Sequence, residues 1–155
     1  MDRDVQLSEP SAQLLNVAAS VTGDWMRRIM VKTAASGGVD VSGMTTELDA
    51  VVSSESAHLL AALEDLLLTD VDDQRTNPLS LFRSAVVGPT EWLRSVGVPA
   101  PPPDRFSAER FPDDLYRLGP ATWADVDRRL HEPGLMWGAW KAMTVLRRRR
   151  DEGLR

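Results

Sequence analysis

Two long stretches in the first half of the chain repeat apolar side chains every three or four positions, which is the period of an α-helix. The first predicts a helix over residues 9–36, which follows a capping serine, Ser8, and ends at a pair of glycines. The second predicts a helix over residues 46–69, where Thr46 and Asp49 have the spacing of a capping box. Each helix is therefore expected to bury one apolar face.

The second half of the chain contains one more long helical pattern and several short ones. Short helices are expected near 78–87, 89–96 and 122–130, each opened by a proline or a threonine, and a long one over 133–150. No segment alternates over a length that would pair convincingly as a strand. The sequence predicts an all-α fold, an irregular bundle of about five to six helices in a single domain, 1–155.

The last predicted helix carries two of the five tryptophans and ends in arginines. At about 100° per residue, Met136, Trp140 and Met143 share one face with Ala139. Trp137 points well away from that face. We expect the face with Met136 and Met143 to pack in the core of the bundle.

Small residues form a second row on the same helix. Gly134, Gly138 and Ala142 recur at spacing four, which would let another backbone approach closely. Packing against a neighbouring helix of the same chain is the simplest interpretation. The alternatives are the seam of a homodimer, or a flat apolar ligand slot lined by Trp137 and Trp140.

A proline-rich strap at 98–103 separates the short helices and is expected to be extended. Such a segment is a ligand for aromatic-lined grooves in other proteins. In a chain of this length we expect it to lie instead across its own Trp92, Phe106 or Phe111.

Composition limits the chemistry that the chain can carry. Its 155 residues include no cysteine, which excludes disulfides, thiolate catalysis and cysteine-ligated metals. The first residues lack the apolar core of a signal peptide, and no later run reaches the roughly 20 apolar residues of a membrane span. We expect a cytoplasmic protein with no membrane partner.

Charge is distributed unevenly along the chain. Residues 1–73 carry a net charge of −9 and residues 74–155 a net charge of +4, for a total of −5. The overall acidity argues against nucleic acid as a partner. Arg147 and Arg148, within the basic C-terminal end at 147–150, are the residues that would contact phosphate, although cations there also stabilise the end of a helix.

Glu55 and His58 form the one acid–base couple that the sequence singles out. Glu55 interrupts the apolar stripe of the second helix, and His58 lies one turn further on. The Glu-x-x-His spacing occurs twice in di-iron bundles, but this chain has no second copy, so we expect no metal and no cofactor. A Glu55 that pairs with an arginine such as Arg28, or that reaches solvent, is the simpler interpretation, and no catalytic residue is assigned.

Three functional classes fit these observations. A helical protein–protein interaction or regulatory module, as a homo-oligomer or with another protein, fits the high tryptophan and arginine content. The alternative is an apolar small-molecule binding protein whose cavity is lined by Met26, Met30, Met136, Met143, Trp25 and Trp140. An enzyme that uses Glu55 and His58 is the third class.

Four segments of the C-terminal half carry a resemblance to known proteins. They are Asn77-Pro-Leu-Ser-Leu-Phe-Arg83, the stretch from Pro89 to Pro99, Phe111-Pro-Asp-Asp-Leu-Tyr116, and the stretch from His131 to Ala142. Together they resemble a set of small uncharacterised actinobacterial proteins. The resemblance implies a cytoplasmic bacterial protein and brings no activity or site with it.

Overall fold

The computed structural model describes residues 7–68, 77–102 and 114–153. Its helices in chain order are α1 (Glu9–Ser36), α2 (Thr45–Leu68), α3 (Leu79–Ser84), α4 (Val87–Ser95), α5 (Trp123–Val126) and α6 (His131–Gly153). Short 3₁₀ turns at Ser42–Met44 and Arg128–Leu130 lead into α2 and α6. The described residues contain no strand, which confirms the predicted all-α bundle.

Helices α1 and α2 form an antiparallel pair that carries much of the core. Gly23 of α1 lies beside Val52 and Ser56, whereas Arg27 pairs with Asp49, one turn earlier on α2. The buried positions of α2 are Leu48, Val52, Leu59, Leu63 and Leu67. The predicted capping box of Thr46 with Asp49 is wrong, because α2 begins at Thr45 and the Asp49 carboxylate binds an arginine of α1 instead.

An aromatic cluster links α1 to the second half of the chain. The ring centroid of Phe82 lies 5.7 Å from that of Trp25 and 5.8 Å from that of Trp123, both in edge-to-face geometry. The five-membered ring of the Trp123 indole in turn lies over Gly134, where a Cβ atom would come within 2.7 Å of three of its carbon atoms. This cluster connects α1, α3, α5 and α6 through one continuous set of ring contacts.

The proline-rich strap docks on its own chain, at the C-terminal end of α1. A Cβ atom at Gly37 would lie 2.9 Å from Val98 and 3.0 Å from Pro99, so the strap passes directly over this glycine. The Tyr116 hydroxyl donates a 2.7 Å hydrogen bond to the Val98 carbonyl. The expected contacts of the strap with Phe106 and Phe111 lie outside the described residues. Residue 69, the last of the predicted second helix, and residue 103, the last of the strap, also lie outside them.

Tyr116 provides a prediction about this docked strap. Burial raises the pKa of Tyr116 above its ordinary value of 10.0, against a smaller opposing effect of Arg94. A raised pKa means that the phenol stabilises the fold below pH 10.0 and that this contribution is lost as the pH rises through the folded value. Because the chain has one tyrosine, phenolate absorbance during an alkaline titration reports this residue alone.

We expect phenolate to appear at higher pH in the folded protein than in concentrated urea. Tyr116→Phe removes the hydrogen bond to Val98 and should cost about 1 kcal/mol of stability at neutral pH. The variant should also lose less stability above pH 10.0 than the unmodified chain does. Coincident titrations with and without urea would show that the hydroxyl is not buried against the strap.

Candidate interaction surface

The start of α6 is fixed by two polar contacts. The Asp127 carboxylate accepts a 2.8 Å hydrogen bond from the backbone amide of Arg129. It accepts two more, of 3.0 and 3.1 Å, from the guanidinium of the same residue. These hydrogen bonds with Arg129 lower the pKa of Asp127. Arg28 of α1 donates a 2.9 Å hydrogen bond to the Val126 carbonyl, just before this turn. The chain therefore enters α6 in a fixed position against α1.

One face of α6 is buried in the bundle. The buried residues recur at helical spacing from the preceding turn into the helix: Leu130, Pro133, Gly134 and Trp137. Trp137 is only 6% exposed. The Lys141 ammonium lies 5.0 Å from the centre of the Trp137 ring, within the range of a cation–π contact. The inward face of α6 is thus centred on Trp137.

The predicted orientation of α6 is wrong. Met136 and Met143, expected in the core, are 41% and 60% exposed, and Trp137, expected to point away, is buried. The physical reason is that Trp137 removes more apolar surface from water than a methionine does. Gly134, on the same side, allows the Trp123 ring to lie against the helix backbone.

Large apolar side chains remain on the outward face of α6. Leu135 is 57% exposed and Leu146 is 62% exposed, and both lie on the same side as the two methionines. We call this surface the α6 stripe; it consists of Leu135, Met136, Ala139, Ala142, Met143 and Leu146, all exposed. The other large apolar side chains that are exposed among the described residues are Val31, Val87 and Leu115, each in a different segment.

The row of small residues does not act as one seam. Gly134 is buried under Trp123, whereas a Cβ atom at Gly138 would meet nothing within 4 Å. Ala142 is exposed and belongs to the α6 stripe. Of the two tryptophans expected to line a ligand slot, Trp137 is buried and Trp140 is half-buried, and the slot stays a prediction.

Glu55 lies against the first turn of α4. Its Cδ atom would be 2.7 Å from a Cβ atom at Gly88, so the carboxylate occupies the space that this glycine leaves. A negative charge near the first turn of a helix is stabilising, which explains a carboxylate inside an apolar stripe. The expected pairing with Arg28 is not observed, since Arg28 binds the Val126 carbonyl, and His58 is exposed.

The residues proposed to line an apolar ligand cavity are separated. Trp25, Met26 and Met30 are buried in the core, whereas Met136 and Met143 face outward. The described chain does contain a groove of about 630 Å³ between the end of α1 and the strap, but Lys32 and Arg117 contribute to its lining. The structure therefore gives no support to a cavity of tryptophan and methionine between the first and last helices.

Residues 7–68, 77–102 and 114–153 contain neither a cluster of metal-ligating side chains nor a helix that could span a membrane. Within them, no three histidine, aspartate or glutamate side chains come together as a metal site would require. None of the described helices combines the length and the apolar character that crossing a bilayer demands. Arg147 and Arg148 are exposed near the end of α6, one turn before Asp151 and Glu152.

Comparisons with protein-family models, with curated proteins and with solved structures find no match to this chain. The resemblance to small actinobacterial proteins stays a prediction that these comparisons do not test.

Sequence reasoning missed Leu135 and Leu146 as surface residues. The signal that identifies them is a competing helical row in which Leu130, Pro133 and Trp137 recur every three or four positions. Once Trp137 is assigned to the core, the opposite face of α6 must carry both leucines outward.

Proposed function

We propose that the protein is a helical protein–protein interaction module that self-associates through the α6 stripe. The observation that carries the proposal is the concentration of four large, exposed apolar side chains on one face of one helix. Monomeric proteins seldom leave contiguous apolar patches of this kind uncovered, and such patches mark interaction sites. Cytoplasmic location is part of the proposal, in agreement with a chain that has no cysteine.

The energetics favour a weak and reversible complex. A half-exposed leucine or methionine gains about 1 kcal/mol when it is fully buried. Four such side chains on each of two copies give a gross gain of about 8 kcal/mol. That gain is comparable to the cost of association, about 4–15 kcal/mol. The difference is at best about 4 kcal/mol, so self-association is expected only at about millimolar concentrations.

Leu146→Glu tests the proposal. Leu146 is 62% exposed, so a charged side chain there should leave the folded monomer intact. In a complex, each glutamate would lose water in an apolar interface, and we expect the association constant to fall at least tenfold. Sedimentation velocity over a wide concentration range measures the constant, and circular dichroism checks the helical content.

Val31→Glu is the matched control, because Val31 is 42% exposed and lies on α1 rather than on the α6 stripe. It should associate as the unmodified chain does. An unmodified chain that stays monomeric at the highest concentration, or an equal loss of association in both variants, would contradict self-association through the α6 stripe.

A further inference from the structure

The α6 stripe ends in opposite charges. Glu132 lies one turn before Leu135, Arg150 lies one turn after Leu146, and both charged residues are exposed. At 3.6 residues per turn, positions 132 and 150 both project over the middle of the stripe. The α6 stripe is therefore preceded by an acidic residue and followed by a basic one.

The order of residues along this face reads nearly the same in both directions. Counted from Glu132, the face carries leucine and methionine after three and four residues, alanine after seven and ten, methionine after 11, leucine after 14 and arginine after 18. Counted back from Arg150, it carries leucine after four residues, methionine after seven, alanine after eight and 11, methionine and leucine after 14 and 15, and glutamate after 18. Reversal leaves the apolar pattern almost unchanged and exchanges the sign of the terminal charges.

This symmetry selects the direction in which two copies pair. A parallel pair would place the four arginines of Arg147–Arg150 beside the same four of the other copy, and like charges across an interface are unfavourable. An antiparallel pair places the basic end of each α6 beside the acidic start of the other. It also forms a two-fold interface, the commonest kind in homo-oligomers.

The centre of the α6 stripe allows the α6 helices of the two copies to approach each other closely. In the antiparallel arrangement, Ala139 and Ala142 fall next to the two-fold axis, where small side chains reduce the distance between helix axes. Leu135 then lies level, to within one residue, with Leu146 of the partner subunit. Large side chains thus meet near the two ends of the α6 stripe, and Met143 lies opposite the small Ala139 of the partner subunit near its centre.

We infer that a second copy of the chain occupies the α6 stripe with its own α6, antiparallel, so that Glu132 faces Arg150 of the partner subunit. This inference rests on the proposed function and specifies its partner and geometry. The charges act at exposed positions, where they determine orientation more than they add affinity.

A charge-exchange cycle tests the direction of pairing. Glu132→Arg and Arg150→Glu each create like charges at both ends of an antiparallel dimer, and each should weaken association about tenfold at low salt. The double variant restores opposite charges and should recover the original association constant. In a parallel pair both single variants exchange one like-charge pair for another, so no recovery is expected. Glu47→Arg, an exposed site on α2, has the same change of charge as Glu132→Arg and should have no effect.

Cysteine cross-linking gives a second readout, because the chain contains no cysteine of its own. Under mild oxidation, a mixture of Leu135→Cys and Leu146→Cys chains should form a mixed disulfide dimer, and Leu135→Cys alone should not. Efficient self-cross-linking by Leu135→Cys, together with no recovery in the double charge variant, would overturn the antiparallel geometry and leave self-association standing. Absence of any dimer would contradict the proposed function instead.

Discussion

Phe82→Ala should lower the free energy of unfolding by about 3–5 kcal/mol, the usual range for a buried phenylalanine. Phe82 is completely buried and lies edge-to-face between Trp25 and Trp123. Truncation would remove both ring contacts and leave a cavity between α1 and α5. Urea unfolding monitored by circular dichroism measures the change.

Phe82→Leu is the matched control because it keeps most of the apolar volume and loses only the ring contacts. It should cost clearly less than Phe82→Ala, by about 2 kcal/mol or more. Equal, small losses in both variants would show that Phe82 does not join the two halves of the chain.

Gly134→Ala should destabilise the protein by about 1–3 kcal/mol, because the added methyl group has no free space. The Cβ atom would come within 2.7 Å of the Trp123 ring, which also packs edge-to-face with Phe82. Gly138→Ala is the matched control one turn further along α6, where a Cβ atom would meet nothing within 4 Å.

Replacing a helical glycine with alanine at such an open position should raise stability by about 0.5–1 kcal/mol. The two variants at positions 134 and 138 should therefore differ in the sign of their effect. Both unfolding curves should be recorded on dilute protein, so that association through the α6 stripe does not contribute. The same sign at both positions would contradict the placement of Trp123 over Gly134.

The sequence was sufficient to predict the helices whose signals are local. Ser8 caps α1 by accepting a hydrogen bond from the Ser11 amide, and glycines end that helix as predicted. Asp125 likewise accepts a hydrogen bond from the Thr122 amide at the start of α5. These contacts lie within a few residues of one another, so spacing alone identifies them.

The orientation of α6 could not be predicted in the same way. Between Leu135 and Met143 the helix has apolar residues on every side, so its periodicity does not identify the inward face. The choice depends on Trp123, a residue from another helix that needs the space above Gly134. The position of Glu55 is equally non-local, because Gly88 of α4 provides the space for its carboxylate.

Peroxide oxidation of the methionines, followed by mass spectrometry at several protein concentrations, examines both the orientation of α6 and the use of its outward face. In dilute solution Met143, at 60% exposed, should oxidise much faster than Met26, which is fully buried. Raising the protein concentration should slow the oxidation of Met143 and leave that of Met26 unchanged. A Met143 as slow as Met26 in dilute protein, or a Met143 rate that does not depend on concentration, would contradict a self-associating α6 stripe.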